Sequence, residues 1–487
     1  RSPSSPSSPP KLAAGSFQSC AHGREGTMMR TSVVFLAALA AMPGSGVAFS
    51  PSLQLGMRTS KPSAAASLSH RPAVVGRRPL GGALGTRAAA SLPAETVAAL
   101  DGKTDDVMLS GLNGLALAGR EYPTKREVYQ AIPDHCFKRN TAKSLGYAAL
   151  STAMTLACFA VGFTIPLQLA WLPAWFLYAM VTGTVATGCW VIAHECGHGA
   201  FSDNKAIQDF VGYVLHTALM VPYFSWQRSH AVHHSKTNHL TEGETHVPYT
   251  TESGKKTLAK REMMRKIFGF KLGTTLYGIQ RVVSHLVFGW PAYLLAGVTG
   301  GPVRGVTNHF IPVKPFSTGN KNTELFPGQW KKKVYMSDIG IVGMIAGLSA
   351  WAMKMGFWHM AAIYLFPLAF TNCWLVLYTW LQHTDTDVPH FEGENWNFIK
   401  GAFLSIDRPY GPVFDFLHHR IGSTHVVHHI DCTIPHYNAL EATKAVQKAF
   451  PDHYLYDPTP LPQATWRVAT KCVAVEKKGN QWVFKQG

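Results

Sequence analysis

The sequence predicts an all-α integral membrane protein with four transmembrane helices and a histidine-lined cap on one side of the bilayer. Only 15% of the 487 residues are charged and 11% are aromatic, which is too apolar for a disordered chain and too poor in charge for a typical soluble enzyme. Four apolar runs approach the length of a bilayer span, and three histidine clusters lie just outside such runs. Together these observations favour a single membrane unit with soluble segments between its spans.

The apolar runs form two predicted helical hairpins. Residues 144–163 and 172–193 make the first, with a short turn containing Pro166 between them. Residues 339–353 and 357–381 make the second. A span needs roughly 20 mostly apolar residues in helical form, so each pair is expected to cross the membrane and return.

Two shorter apolar stretches, residues 210–224 and 286–300, are expected to lie at the membrane interface or to dip in and return. Since neither changes sides, all three histidine clusters end on one face. Lysine and arginine are frequent in the loops on that face, for example at 331–333. This bias predicts that the cap faces the cytosol or the stroma.

The N-terminal region has the composition of a leader. Residues 1–94 contain ten Lys and Arg residues and one acidic residue, Glu25. A signal peptide followed by an acid-free segment rich in Ser, Ala and Arg resembles the bipartite leaders of proteins sent to complex algal plastids. We therefore divide the chain into six segments. Residues 1–27 are a non-native or untranslated leader, residues 28–48 a signal peptide, and residues 49–92 a transit peptide or a disordered segment. Residues 93–143 are an N-terminal soluble or interfacial segment, residues 144–450 the main domain, and residues 451–487 a C-terminal tail.

Eight histidines occur in the three clusters at helical spacings. HECGH has two histidines at i and i+4, while HAVHH and HVVHH each have three at i, i+3 and i+4. In a helix, these spacings place the side chains of one cluster on one face. Imidazole binds iron, zinc and copper, so the cap is predicted to hold two metal ions. The candidate ligands are His194, His198, His230, His233, His234, His425, His428 and His429.

Other functions account for fewer of these residues. HECGH also satisfies the H-E-x-x-H pattern of zinc metalloproteases, in which the glutamate is the general base, but an intramembrane protease leaves six histidines without a role. A metal transporter should place its ligands near the bilayer midplane, where the predicted spans have almost no ionisable residues. Nucleic-acid binding lacks a recognisable fold or a basic and aromatic face. The eight cysteines are dispersed without a CxxC pair, which argues against a disulfide scaffold.

Two metal ions held by neutral imidazoles, without bridging carboxylates in the motifs, suit the activation of O₂ by iron and the oxidation of an unactivated C–H bond. The membrane location would supply a lipid as the substrate. The sequence contains neither an HPGG haem-binding motif nor a glycine loop for a nucleotide. Electrons are therefore expected from an external donor.

The order and spacing of HECGH, HAVHH and HVVHH resemble the three histidine boxes of membrane fatty acid desaturases, and in finer detail the delta-12, or omega-6, oleate class. Two features depart from the microsomal delta-12 pattern, namely Gly199 after the first box, where those enzymes usually have a further histidine and the omega-3 class has glycine, and the apolar pair 231–232 inside the second. Neither departure removes a predicted metal ligand. The resemblance covers about residues 120–450 and includes AIP at 131–133, HCF at 135–137, AHECGHGAFSD at 193–203, VPYFSW at 221–226, GWPAYL at 289–294, LQHTD at 381–385 and IPHYNALEATKA at 434–445.

The resemblance implies a non-haem di-iron centre bound by the eight box histidines, with His383 of LQHTD as a further ligand. Glu195 and His436 would support the ligands without binding metal. The implied activity is the O₂-dependent insertion of a cis double bond into the acyl chain of a membrane lipid, at the delta-12 position of oleoyl chains. An omega-3 desaturase and a diverged fatty acid hydroxylase or epoxygenase of the same family are the alternatives.

The leader and the motifs indicate different compartments. The leader favours a complex algal plastid, where ferredoxin would donate electrons and glycolipids would carry the acyl chain. The motifs resemble enzymes of the endoplasmic reticulum, which use cytochrome b5 and phospholipids. The expected partners are therefore membrane lipid acyl chains and one of these two electron donors, and no nucleic acid.

Overall fold

The computed structural model describes residues 120–320 and 322–485. Its long apolar helices form two hairpins, with shorter helices and loops at one end. The segments predicted as leader, at 1–27, 28–48 and 49–92, lie outside the described residues, as does the first part of segment 93–143. Among the described residues, one short antiparallel hairpin interrupts the helical structure, and it places Val475 opposite Phe484.

The helices and strands follow one another along the chain with loops of varying length. Short 3₁₀ helices occur at Asp134–Phe137, Leu169–Trp171, Pro302–Arg304 and Gly393–Asn395, and a π-helix occurs at Ala361–Leu365, between two α-helices. The α-helices and strands are α1 Lys125–Ala131, α2 Thr141–Gly162, α3 Leu172–His198, α4 Lys205–Ala218, α5 Tyr223–Ser235, α6 Lys255–Phe268, α7 Phe270–Ala296, α8 Gln329–Met355, α9 Phe357–Met360, α10 Phe366–His383, α11 Phe398–Phe403, α12 Gly411–Leu417, α13 His425–Ile430, α14 His436–Ala449, α15 Leu461–Lys471, β1 Val475–Lys478 and β2 Gln481–Phe484.

The four predicted spans are confirmed as helices that are long and apolar enough to cross a membrane. They are longer than the apolar runs because each helix continues into polar residues at one or both ends. The second span continues through both histidines of the first cluster and stops at Gly199, whose φ of 84° is the left-handed conformation that glycine adopts without strain. The spans cover Thr141–Gly162, Leu169–His198, Gln329–Met355 and Phe357–His383.

The two shorter apolar stretches form helices of different kinds. Residues 210–224 are divided between α4 and α5, and a turn at Met220 separates the two helices. Residues 286–296 are not a separate element, because they form the second half of α7, which begins at Phe270 and ends at Ala296. The apolar stretch is therefore part of a longer helix, whose first half contains polar residues, and this helix is not among the four candidate spans.

The second and fourth spans approach each other closely at Gly183. A side-chain carbon added at Gly183 would lie 2.3 Å from the carbonyl oxygen of Pro367, and Thr371 donates a hydrogen bond to the carbonyl oxygen of Gly183. Only a residue without a side chain permits this approach. The contact fixes α3 against α10, and therefore fixes the two helices that end in histidines.

Segment 451–487, predicted as a tail, is folded in its described part. Helix α15 packs beneath α7 and α10, with Val468 and Cys472 in a buried cluster with Leu381. Arg281 of α7 donates hydrogen bonds to carbonyl oxygens of this segment, including that of Cys472 at 2.9 Å. The C-terminal residues therefore support the end of the fourth span.

Candidate metal centre

Nine histidines from four helices converge in the cap. The returning helix of each hairpin, α3 or α10, ends with its histidines at the same side of the membrane, and α5 and α13 cover them. Because α5 and α13 are helical, the i, i+3 and i+4 spacings turn their imidazoles inward together. The nine are His194, His198, His230, His233, His234, His383, His425, His428 and His429.

The first group of ligands draws on all three clusters. In the group made by His194, His198, His230, His234 and His428, the ring nitrogens lie within 4.8 Å of one another. The Nε2 atom of His194 is 2.9 Å from that of His230 and 3.2 Å from that of His198. The geometry therefore gathers five nitrogen donors around one point.

The second group is centred on His383. It contains His233, His383 and His429, again with ring nitrogens within 4.8 Å of one another. The Nε2 atom of His383 lies 3.1 Å from that of His233 and 2.9 Å from that of His425. The histidine of LQHTD thus lies among the box histidines, and the group gains a fourth donor from His425.

The arrangement of the nitrogens fits a metal ion better than a hydrogen-bonded histidine core. Two facing Nε2 atoms can share at most one proton, and in both groups several such atoms face one another. The Oγ1 of Thr237 donates to the carbonyl oxygen of His233 at 2.7 Å, so it accepts from Nδ1 of His429 at 2.9 Å. With its proton on Nδ1, His429 keeps the Nε2 lone pair that a metal requires. That Nε2 is buried and has no hydrogen-bond partner among the described residues.

Burial keeps these imidazoles in the form that binds metals. It lowers the pKa of His233 to about 3, with a smaller contribution from neighbouring His428, and lowers the pKa of His428 to about 3. The pKa of His429 is also lowered, first by burial and then by the histidines around it. Neutral imidazole, not imidazolium, is the ligand, so burial favours the metal-binding form of these side chains.

Replacing Thr237 with valine is expected to weaken metal binding by roughly 10- to 100-fold, because His429 loses the group that fixes its tautomer. Valine keeps the shape of the side chain, so folding should be retained. Competition with a metal chelator measures the affinity. Thr465→Val is the matched control, since its hydroxyl also donates to a carbonyl oxygen four residues earlier but lies in α15; equal affinities in the two variants would contradict the role given to Thr237.

Glu195 and His436 form a buried pair behind the first group. The carboxylate accepts one hydrogen bond from the backbone N–H of His436 and another from its Nδ1, both at 2.6 Å. Glu195 is the residue after His194 and turns away from the facing nitrogens. The pair therefore joins the end of α3 to the start of α14 and holds the first cluster in place.

Asp407 performs a similar task for the third cluster, although no pattern in the sequence indicates it. Its carboxylate accepts from the backbone N–H of Val426 at 2.9 Å and from the hydroxyl of Tyr454 at 2.6 Å. The first N–H groups of a helix have no partner within the helix, so Asp407 caps α13. Thr237 and Asp407 lie in loops between helices, where no periodic pattern marks a functional residue.

A narrow cleft leads from the space between α7 and α10 to the histidines. Its volume is about 80 Å³, and aromatic and aliphatic side chains such as Trp190, Trp290 and Val376 line it together with His230 and His233. A smaller cavity shares Trp190 and His230 with the cleft and continues to His194 and His425. The apolar path therefore ends between the two groups of histidines.

A buried acid, Glu244, lies behind the wall of this cleft. It is only 3% exposed and lies close to the hydroxyl of Tyr293, which lines the cleft. Burial raises the pKa of Glu244 to about 8, although Tyr293 and Arg304 act in the opposite direction. Glu244 is therefore protonated and uncharged at neutral pH.

Glu244 is expected to make the folded protein less stable as the pH rises from 6 to 9. The folded state keeps a proton that the unfolded state releases above its ordinary pKa near 4.5. This contribution to stability is therefore fully present only below that value and is lost as the pH rises through about 8. Glu244→Gln cannot ionise and should flatten the dependence of Tm on pH over this range. Parallel Tm curves for both proteins would show that Glu244 is already charged in the folded state.

The fold and the site define an integral-membrane protein in which two groups of histidines form a metal site at the inner end of an apolar cleft. The chain belongs to the fatty acid desaturase family, whose model matches residues 169–459. It is accordingly an oxidoreductase of the membrane, and family membership rules out the zinc metalloprotease alternative for HECGH.

Relatives whose names indicate different reactions are similar to this chain over most of its length. It is 39% identical to the delta(12)-fatty-acid desaturase of Arabidopsis thaliana over 73% of this chain and 90% of the relative. It is 38% identical to the acyl-lipid (9+3)-(E)-desaturase of Dimorphotheca sinuata, over 77% and 95%. It is 36% identical to the oleoyl-12-hydroxylase of Ricinus communis, over 72% and 87%.

Proposed function

We propose that the protein is a delta-12 acyl-lipid desaturase, which inserts a cis double bond into oleoyl chains with two iron ions and O₂. The observation that carries the proposal is the meeting of the apolar cleft with both groups of histidines at His194, His230 and His425. The names of the similar proteins support the carbon position, since a delta(12)-desaturase and an oleoyl-12-hydroxylase both resemble this chain.

We assign the metal ligands to the nine histidines of the two groups. Iron bound there would supply the O₂ activation that removal of hydrogen from an unactivated C–H bond requires. The contribution of the chain is to hold nine neutral nitrogens in fixed positions, through Thr237, Asp407 and the Glu195–His436 pair.

The cleft determines which part of the acyl chain reaches the histidines. Its wall at Gly289 has no side chain, and a carbon added there would touch Val376 at 3.4 Å. Trp190 and Trp226 narrow the path beside His230. The apolar walls of the passage suit a hydrocarbon chain and keep water away from the reacting carbon.

Two partners and a compartment complete the proposal. The acyl chain comes from a membrane lipid, and electrons come from ferredoxin in a plastid or from cytochrome b5 in the endoplasmic reticulum. The acid-poor segment 49–92 supports the complex plastid. Import of a fluorescent fusion of residues 28–95 into the plastid of an alga is the expected result, whereas an endoplasmic reticulum pattern would favour cytochrome b5.

The function is tested by expressing residues 95–487 in yeast and analysing the fatty acids. New linoleate from oleate is the expected product. A trienoic product would identify an omega-3 desaturase, and a hydroxylated oleate would identify the activity for which the Ricinus communis relative is named. Iron-loaded protein that yields none of these products, when supplied with each electron donor in turn, would contradict the proposal.

A further inference from the structure

A second cavity, larger than the cleft, lies in the loop region between α7 and α8. Its volume is about 500 Å³. Three basic side chains, Arg304, Lys314 and Lys331, line it together with one acidic side chain, Glu324, and with polar residues such as Asn320. The described lining therefore has an excess of positive charge, and neither the metal site nor the cleft uses it.

Arg304 is held rigidly at the wall of this cavity. Its guanidinium donates to the carbonyl oxygens of Glu242 at 2.8 Å and Thr323 at 3.2 Å. Its Nε is buried and has no hydrogen-bond partner among the described residues. The buried Nε cannot reach the cavity, but each terminal nitrogen keeps a second N–H that can donate to an anionic oxygen there.

A second guanidinium, that of Arg228, donates from Nε to the carbonyl oxygen of Leu325 in the cavity wall at 3.1 Å. Burial and the charge of Arg304 both lower the pKa of Arg228. Burial also lowers the pKa of Arg304, whereas Glu244 and Glu242 act in the opposite direction. Lys331 is partly neutralised by Glu324 at 3.0 Å, and Lys314 is exposed at the mouth of the cavity. Lys314 is therefore the basic side chain of the lining whose charge favours an anion most directly.

The cavity lies at the level of the membrane surface. Lys331 is in the first turn of the third span, on the side where the second and fourth spans end in histidines. The adjoining loop exposes apolar side chains, including Ile311, Val313 and Phe316. Basic groups next to exposed apolar side chains are typical of the membrane interface, where the phosphates of the lipids lie beside the first carbons of their acyl chains.

The same loop forms a wall shared with the catalytic region. Leu325 and Phe326, which line the cavity, pack against Val232 between the histidines of the second cluster. The backbone N–H of His309 donates to the carbonyl oxygen of Leu294, next to Tyr293 in the cleft wall. A lipid whose acyl chain enters the cleft would therefore have its head group near this cavity.

We infer that this cavity binds the phosphate of a glycerophospholipid head group while the acyl chain of the same lipid occupies the cleft. The inference rests on the proposed function and extends it, because it selects a phosphorylated lipid over the uncharged glycolipid expected as the acyl carrier of a plastid enzyme. Arg304 and Lys331 contact the phosphate, and Lys314 contributes charge at the mouth. The head group thereby sets how far the acyl chain can enter.

Binding to the purified full chain in neutral detergent tests the site directly. A short-chain phosphatidylglycerol, the matching galactosyl diacylglycerol and inorganic phosphate are titrated separately, and the change in Tm gives each affinity. Phosphatidylglycerol is expected to bind about fivefold more tightly than either other probe. Lys314→Gln and Lys331→Gln are each expected to weaken the binding of phosphatidylglycerol about fivefold, as the loss of one basic group near the phosphate implies.

Lys354→Gln is the matched control, because Lys354 lies in the last turn of the same span as Lys331 and at the opposite membrane surface. It should bind phosphatidylglycerol like the unsubstituted chain. Equal affinity for the galactolipid, or unchanged binding in both cavity variants, would overturn the inference. Inorganic phosphate that binds as tightly as the phospholipid would also overturn it, by identifying a site for free anions.

An activity measurement separates this inference from the proposed function. Reconstituted protein is supplied with oleoyl phosphatidylglycerol or with oleoyl galactolipid, and desaturation is followed. Lys331→Gln should raise KM for the phospholipid about fivefold without lowering kcat and leave the galactolipid unaffected. Desaturation with no dependence on head group would overturn only the head-group site, whereas absence of desaturation on both lipids would count against the proposed function.

Discussion

Replacing His233 with glutamine is expected to abolish desaturation and to reduce bound iron from two ions per chain to about one. His233 contributes to the group centred on His383, and its Nε2 is 3.1 Å from that of His383. Glutamine removes the nitrogen while filling a similar volume. Because the second group has only four donors, losing one leaves too few for a stable site of neutral nitrogens. Iron analysis of the purified protein and fatty acid profiling in yeast measure the two effects.

His239→Asn provides the control for that experiment. His239 is buried in the same cap but belongs to neither group, and its Nδ1 accepts hydrogen bonds from the backbone N–H groups of Thr241 and Glu242. Asparagine offers an acceptor in a similar position, so iron content and activity should be preserved. Retained turnover in the His233 variant would refute its assignment as a ligand.

Replacing Arg408 with glutamine is expected to destabilise the folded protein by about 3–5 kcal/mol, the usual cost of breaking a buried ion pair. Arg408 is fully buried, donates to the carbonyl oxygen of Leu381, and forms ion pairs with Asp385 and Asp457. Glutamine would leave two buried carboxylates with Arg467 as their remaining basic partner. Thermal unfolding in detergent should show a clearly lower Tm.

Lys205→Gln is the comparison for the Arg408 variant. Lys205 pairs with Asp209 one helical turn away, and its side chain is 66% exposed. An exposed pair of this kind contributes no more than roughly 0.5 kcal/mol, so Tm should hardly change. Similar losses in the two variants would show that the buried network contributes no more than a surface pair.

Most histidines of the metal centre could be predicted because those of each cluster lie at helical spacing within a single helix. HAVHH and HVVHH each mark one face of one helix, and the hairpin pattern placed those faces on one side of the membrane. His383 is a lone histidine, and only its resemblance to a family motif singled it out. Its place between His233 and His425 depends on how α10 packs against α5 and α13, which no local pattern encodes.

The parts that could not be predicted depend on contacts between distant segments. Asp407 caps α13 from a loop, and Thr237 supports His429, which is 192 residues further along the chain. The first half of α7 was overlooked because Arg281 interrupts its apolar pattern, although that side chain hydrogen-bonds to the C-terminal segment. Polar residues with such roles have the same local sequence signature as ordinary loop and surface residues.

The distribution of the ligands along the chain sets the order in which the centre can be assembled. The first and second spans, with His194, are synthesised well before α13, which follows the fourth span. Since membrane insertion begins with the N-terminal hairpin, neither group of histidines is complete until HVVHH has left the ribosome. Arg467, which holds Asp385 beyond the end of α10, is made later still. A ribosome that stalls between residues 383 and 425 therefore leaves four inserted spans without His425, His428 or His429, so that the second group has only His233 and His383 of its four donors.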